Sequence, residues 1–358
     1  MALDGFRGVL ALCVAIYHTY WVSALNSSAF FNNGPVLIDL FFVFSGFLMW
    51  TLYGGMREPG EVAAFFRKRI ARLYPVHFVM TLALLAYAVL RLSVGSGTGA
   101  ALPFTPGANE TWASLVSNLL LVQALGLHGS LTYNVPAWTV SVEMAAYVVF
   151  AAVCVWAPLR RDRHFWVLGL VVAAIYAGLW RVRPDMDITY DLGLWRCLAG
   201  FGTGVLCARA RLWFGRAVAR LGGAGATVLE VAVVLGGTAF VIWLPGKWQF
   251  GIGAVAFVFV GVFAQDAGAV SRALGAGVFR YLARISYCVY MVHFIVALAF
   301  GIFRERVMDV QGDVLLGLYV VAVLVAAHVL HRVVEVPGAA LMLRWMRPRG
   351  VEAVGRAA

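Results

Sequence analysis

Arg7, His18, Arg69, Arg72, Glu143 and His293 all stand in or beside stretches that are otherwise apolar, and their spacing gives them chemical meaning. Arg7 and His18 are eleven residues apart in Leu3-Asp4-Gly5-Phe6-Arg7-Gly8 through Tyr17-His18. On a helix, eleven steps of about 100° return to within about 20° of one face and climb about 16 Å, so both groups look into the same interior. An imidazole there can take a proton from a hydroxyl, and a guanidinium offers a planar fork of donors to phosphate. Ionisable groups inside a bilayer helix are costly and are tolerated where they face a bundle interior or a watery cavity, which makes them functional candidates. The structural alternative is a capped helix with one hydrogen-bonded core histidine.

Arg69 and Arg72 sit i, i+3 within Phe65-Phe66-Arg67-Lys68-Arg69-Ile70-Ala71-Arg72-Leu73-Tyr74-Pro75, on one face suited to clasping phosphates. Arg67 and Lys68 read as anchors to anionic lipid, an alternative that covers the whole cluster. Glu143 shares a helix face with Thr139 and Tyr147, while Trp138 and Ser141 point elsewhere and read as packing residues. Ser286, Tyr290 and His293 form a second polar stripe at i, i+4, i+7, and His328, His331 and Glu335 a third at i, i+3, i+7. Asp39 lies near the outer end of its segment, where a carboxylate reaches water, and Ser45 and Gly46 lie near mid-membrane, where small residues let helices pack closely. The candidates for lining a cavity are therefore Asp39, Ser45, Thr139, Tyr147, Ser286, Tyr290, His293 and Glu335. Arg196 and Arg284 read as lying near the inner ends of their helices, free to snorkel or to bind a ligand. The five cysteines show no CxxC and no metal-like Cys/His spacing, so no metal site is expected.

The elements that must position these groups follow from composition. The chain of 358 residues is 62% hydrophobic and 13% charged, a balance that excludes a soluble globular domain and implies a polytopic membrane protein. At about 20 apolar residues per span, the pattern predicts an all-α bundle of about ten transmembrane helices near 6–25, 35–54, 74–92, 137–157, 164–181, 192–208, 226–244, 249–265, 284–303 and 314–334. Residues 1–345 form this domain and 346–358 a short basic tail. The net charge of +11 sits mostly in short clusters between alternate spans, as membrane orientation requires, rather than in a nucleic-acid patch. That asymmetry puts both termini in the cytoplasm. In the long outer connection, Trp112 to Leu125 reads as a short helix on the membrane surface. Val22-Ser23-Ala24 mimics a signal-peptidase site, but Asp4, Arg7 and His18 interrupt the stretch before it, so it is kept as a span.

Taken together, these motifs closely resemble the acyltransferase 3 family of multi-pass membrane acyltransferases. The resemblance runs in family order through LDGFRG with His18, DLFFVFSGF from Asp39, RKRIARLYP from Arg67, Trp138 to Glu143, Tyr281 to His293, and Val334-Glu335-Val336-Pro337. The chain departs from the family at Thr139, Met144, Ala146 and the Phe294-Ile295 that follows His293, which bears on packing and acceptor choice more than on titratable groups. The resemblance implies a cytoplasmic-membrane enzyme moving a small acyl group, acetyl, from acyl-CoA as co-substrate to a hydroxyl of a sugar or cell-surface glycan, with no bound cofactor. His18 would be the general base or a transient carrier of the acyl group, and Glu143 would orient its imidazole. Helix rise places both about 9 to 10 Å below the outer surface, so the two side chains are expected within direct or one-water hydrogen-bond reach. Arg69 and Arg72 would bind the donor's phosphates, with Arg7 farther along the path. The residues alone also fit a transporter or flippase that uses Arg7, His18, Glu143 and His293 as a substrate or proton relay, although no internal repeat supports an inverted-repeat design.

Overall fold

In hydrocarbon every backbone N–H and C=O must be satisfied within its own segment, which leaves long apolar stretches little choice but to be helical. The computed structural model describes residues 2–94, 103–105, 108–157, 159, 161–307 and 311–347. Its helices are α1 (Ala2–Tyr17), α2 (Ala29–Asn32), α3 (Leu37–Tyr53), α4 (Pro59–Val94), α5 (Trp112–Leu119), α6 (Trp138–Trp156) and α7 (Asp162–Val182). There follow α8 (Gly193–Ala219), α9 (Gly222–Trp243), α10 (Ile252–Phe263), α11 (Ala269–Leu274), α12 (Gly277–Val307), α13 (Gly312–Leu330) and α14 (Val336–Trp345). Among the described residues there is no strand, and eight helical stretches are long and apolar enough to cross a membrane. The protein is an all-α polytopic membrane protein. Helices α1, of 16 residues, and α8, which carries several arginines, pack among those eight.

The bundle is apolar outside as well as inside. Helices α7 and α9 expose Trp166, Leu170, Trp180, Val228, Leu235 and Trp243, the surface a lipid solvent favours. At the centre lie α1, α3, α6, α8, α10 and α12. Without a water-driven hydrophobic effect between helices, close approach at small residues holds such a centre together. A side chain at Gly46 of α3 would run into the backbone carbonyl of Phe201 in α8. A Cβ at Gly8 of α1 would lie 2.7 Å from Leu282 Cγ in α12.

The basic connections gather at one end. Arg57 donates to the Cys154 carbonyl across 3.0 Å, Arg67 to Met346 O across 3.3 Å, and Arg209 pairs with Asp162. Residues 348–358 of the basic tail read from the sequence lie outside the described residues.

Four expectations are corrected. Helix α1 ends at Tyr17 rather than near residue 25, because Thr19 Oγ1 donates to the Ile16 carbonyl and Asn26 Nδ2 donates to Thr19 Oγ1 and Trp21 O, local bonds that replace helix continuation. Helix α4 starts at Pro59, not near 74, so the arginine cluster is itself helical and runs on through Pro75. The surface helix is only Trp112–Leu119, and it docks on α4: its Ser114, Ser117 and Asn118 are buried while Trp112 and Val116 are exposed. Finally, helix continues past residue 334 to Trp345 through a π turn at His331–Glu335.

Candidate active site

Faces of five helices converge on one cavity of about 260 Å³. Arg7 comes from α1, Ser45 from α3, Arg69 and Arg72 from α4, Thr139, Glu143 and Tyr147 from α6, and Ser286, Tyr287 and Tyr290 from α12. Each contribution obeys helical phase. The i, i+4, i+8 set Thr139, Glu143 and Tyr147 reaches the same space, while Ser141 turns away to accept from Ala124 N and Trp138 packs against Phe42.

Inside the cavity Tyr147 donates to Glu143 Oε1 at 2.7 Å and lies 3.1 Å from Ser45 Oγ, making a Ser45–Tyr147–Glu143 chain. Arg7 lies within electrostatic reach of Glu143 and Arg72. In the lining, three guanidiniums face a single carboxylate, an excess of positive charge, with Arg7, Arg69 and Glu143 half-buried and Arg72 exposed. The Nε of Arg69 is buried with no hydrogen-bond partner, and its guanidinium stands 5.7 Å from the Tyr53 ring. A desolvated, unpaired donor of this kind is expensive unless an anion meets it.

Arg69 and Arg72 also line a second, more open pocket of about 400 Å³ with Lys68, His331 and Glu335. The two arginines therefore stand between that mouth and the inner cavity. Glu335, read as a cavity residue, belongs to the mouth.

His18 is placed differently from expectation. It sits just past the end of α1, outside the lining that contains Glu143, and its Nδ1 lies 2.8 Å from the Val14 carbonyl. A carbonyl can only accept, so Nδ1 carries the proton and Nε2 keeps the lone pair. The His18 ring lies 5.0 Å from that of His293, whose Nδ1 likewise donates to the Tyr290 carbonyl at 2.6 Å and whose buried Nε2 has no partner. His293 is also outside the lining of the Glu143 cavity. The hydrogen-bond partner of the His18 imidazole is thus the Val14 carbonyl rather than Glu143. Between the two regions stands Tyr290, which accepts a 3.1 Å hydrogen bond from Thr139 on the cavity side and faces His293, 5.6 Å between rings, on the other.

Asp39 leaves the set of cavity residues altogether. It is fully buried and paired with Arg196, whose Nε lies 3.2 Å from each carboxylate oxygen and whose Nη2 lies 2.7 Å from Oδ2. The remaining donors of Arg196 go to Ile188 O at 2.9 Å and Pro35 O at 2.6 Å, and its face covers the Trp138 ring. These partners place Arg196 beside the start of α3, at the end opposite the basic connections, where it neither snorkels nor is free for a ligand.

Comparison with known proteins shows which family the chain belongs to. Residues 2–331 match the acyltransferase 3 family, described as an acyltransferase domain. The chain belongs to this family. The chain is 27% identical over 338 residues to Acyltransferase MdmB of Streptomyces mycarofaciens, covering 85% of this chain and 80% of that one. Protein 2 in picA locus of Rhizobium radiobacter is 33% identical over 189 residues, 48% of this chain and 90% of its own. Exopolysaccharide production protein ExoZ of Rhizobium meliloti is 29% identical over 150 residues, 41% of this chain and 42% of its own. No solved structure matches.

The acyltransferase owes part of this geometry to residues that the sequence did not single out. Tyr319 of α13 donates to both Ala15 O, at 3.0 Å, and His293 O, at 3.2 Å, so one hydroxyl ties the end of α1 to the histidine of α12. Tyr287 of α12 donates 2.7 Å to Leu73 O of α4 while lining the cavity. Tyr319 has neither a charge nor a motif to betray it, and Tyr287, though inside the Tyr281 to His293 stretch, has no charge. The only signal in the sequence is an aromatic hydroxyl inside a span, where it needs a partner.

Proposed function

We propose that this membrane acyltransferase moves a small acyl group, acetyl, from cytoplasmic acyl-CoA to a hydroxyl of a sugar or exported glycan. One observation carries the reading: Arg7, Arg69 and Arg72 converge on a cavity with a single carboxylate, and two of them also line its mouth. Phosphates of the donor would meet Arg69 and Arg72 at that mouth, which the positive-inside pattern assigns to the cytoplasmic side of the inner membrane. The acyl-bearing arm would extend past Arg7 toward Thr139 and Tyr290. Relatives named for acyl transfer and for exopolysaccharide production support the substrate classes.

In this mechanism the acceptor hydroxyl gives its proton to His18 Nε2 as its oxygen attacks the thioester carbonyl. The carbon–sulfur bond then breaks, and the imidazolium returns the proton to the departing thiolate. Val14 O holds the imidazole, and His293 beside it offers a second lone-pair nitrogen toward the acceptor side. Glu143, fixed by Tyr147, balances the arginines and keeps Arg7 in place. Purified protein incubated with labelled acetyl-CoA and an oligosaccharide acceptor, without any ion gradient, tests the proposal. Release of free CoA with label on acceptor oxygen is expected. Gradient-dependent movement of label without cleavage of the thioester would replace this reading with transport.

A further inference from the structure

Cys288 of α12 meets two groups that stand four residues apart in the π turn between α13 and α14, His331 and Glu335. A thiol sulfur of Cys288, a ring nitrogen of His331 and a carboxylate oxygen of Glu335 all lie within 4.8 Å of one another, and all three residues are buried. Cys288 Sγ donates to Glu335 Oε2 at 3.1 Å, and His331 Nδ1 donates to the same oxygen at 2.6 Å. We propose that Cys288, His331 and Glu335 form a binding site for a thiophilic divalent cation, zinc above all, beside the mouth of the donor cavity.

Ligand chemistry is the first support. Thiolate, imidazole and carboxylate form the borderline-soft set that zinc prefers, and three protein ligands leave a fourth tetrahedral position for water. The second is charge. A thiolate and a carboxylate offset a dication, so the occupied site has no net charge and can sit beside Arg72, which lies within electrostatic reach of Cys288. A site of net positive charge at that depth would be repelled by the same guanidinium. Geometry is the third. Zinc ligand atoms at bond lengths of about 2.0 to 2.3 Å stand roughly 3.3 to 3.5 Å apart in a tetrahedron, so closure asks the two hydrogen-bonded pairs to part by under about 1 Å and the sulfur and nitrogen, now within 4.8 Å, to approach by at most roughly 1.3 Å. The pocket lined by His331 and Glu335 supplies the access path and room for the fourth ligand. One-turn π segments also recur at functional sites, and this one spans His331 through Glu335.

Binding releases the thiol proton to solvent, moves the His331 proton from Nδ1 to Nε2, and exchanges the two hydrogen bonds at Glu335 for a metal bond. The cation would clamp α12 to the α13–α14 turn, next to Arg72. Full-length protein, stripped with a chelator and titrated with Co²⁺, should develop a thiolate-to-cobalt charge-transfer band in the near ultraviolet. Zinc should displace the cobalt with about one equivalent bound. Cys288→Ser should abolish the band, while Cys154→Ser should keep it. His331→Gln and Glu335→Gln should each weaken zinc binding at least tenfold. The proposal is overturned if the unmutated protein shows no thiolate band, if Cys288→Ser retains it, or if zinc affinity is unchanged in the His331 and Glu335 variants. The titration of the unmutated protein decides even where a variant fails to fold.

Discussion

Two arginine–carboxylate clusters stand in this bundle, one fully buried and one half-buried around a cavity, and they are built on opposite principles. Around Arg196 every donor group is used: Asp39 takes Nε and Nη2, Ile188 and Pro35 carbonyls take the rest, and Trp138 covers the face. Around Glu143 three guanidiniums share one carboxylate, and the Nε of Arg69 has no partner at all. A saturated pair has nothing left to offer a ligand. An unsaturated one keeps a buried donor, the Nε of Arg69, without a protein partner, and an excess of guanidinium over carboxylate in its lining. Both clusters combine guanidinium with carboxylate, so the hydrogen-bond account, not the presence of charge, separates them.

The largest break in this comparison should come from the saturated side. Asp39→Ala leaves Arg196 buried and uncompensated, and truncating one partner of such a pair costs about 3–5 kcal/mol. The expected result is loss of folded monodisperse protein in size-exclusion chromatography and a marked fall in thermal midpoint. Asp39→Leu combined with Arg196→Met should recover most of the loss, because well-packed apolar residues replace a buried pair at little cost. Glu143→Gln, by contrast, should leave the fold intact and lower acyl transfer. An equal loss of folded protein in both single variants would erase the distinction.

Next in size is His18→Ala. General-base catalysis contributes about 10²–10⁴ in rate, so CoA release with acceptor present should fall by at least 10² while the melting profile stays put. His18 lies just past the end of α1 and is not among the buried apolar residues of the core. Normal turnover in well-folded His18→Ala would remove the base from this mechanism.

How far the sequence revealed this arrangement depends on the range of the interaction. Patterns within one helix were legible: Arg69 with Arg72, and Thr139, Glu143 and Tyr147, each share a face because helical phase is a local property. Pairings between helices were not. Nothing in the spacing links Asp39 to Arg196 or Cys288 to His331, since partners 157 and 43 residues apart meet only through the bundle's packing. His18 was misplaced by a different cause. Apolar content continues past Tyr17, and the helix stops there because Thr19 and Asn26 compete for the backbone, a choice that hydropathy does not register.

Arg69→Lys and Arg72→Lys test the unsaturated cluster more gently, because they keep the charge and remove the fork. A planar guanidinium binds phosphate bidentately where an ammonium acts as a point charge. Each variant should weaken acyl-CoA binding by about tenfold, or about 1.4 kcal/mol, measured on purified protein by calorimetry. Unchanged affinity in both would move the phosphates away from this face of α4.

The smallest effects belong to the two basic residues just before them, and here the structure divides what the sequence grouped together. Arg67 donates to the Met346 carbonyl and lies outside both cavity linings, so it holds α4 to the end of α14 rather than facing a ligand. Lys68 does line the mouth with Arg69 and Arg72, and its ammonium also stands 5.9 Å from the Tyr53 ring. A charge at an open mouth acts through a field that about 0.15 M salt screens within roughly 8 Å. Lys68→Gln should therefore slow donor association about two- to threefold at low ionic strength, with the difference vanishing as salt is raised. Arg67→Gln should change affinity by less than that at any salt, because one part-buried hydrogen bond to a carbonyl is worth only about 1 kcal/mol to the fold and nothing to the donor. Stopped-flow association of a fluorescent acyl-CoA across ionic strengths separates the two. A salt-independent loss in Lys68→Gln would mean that Lys68 touches the phosphates directly, and the unsaturated cluster would then extend one turn farther out along α4.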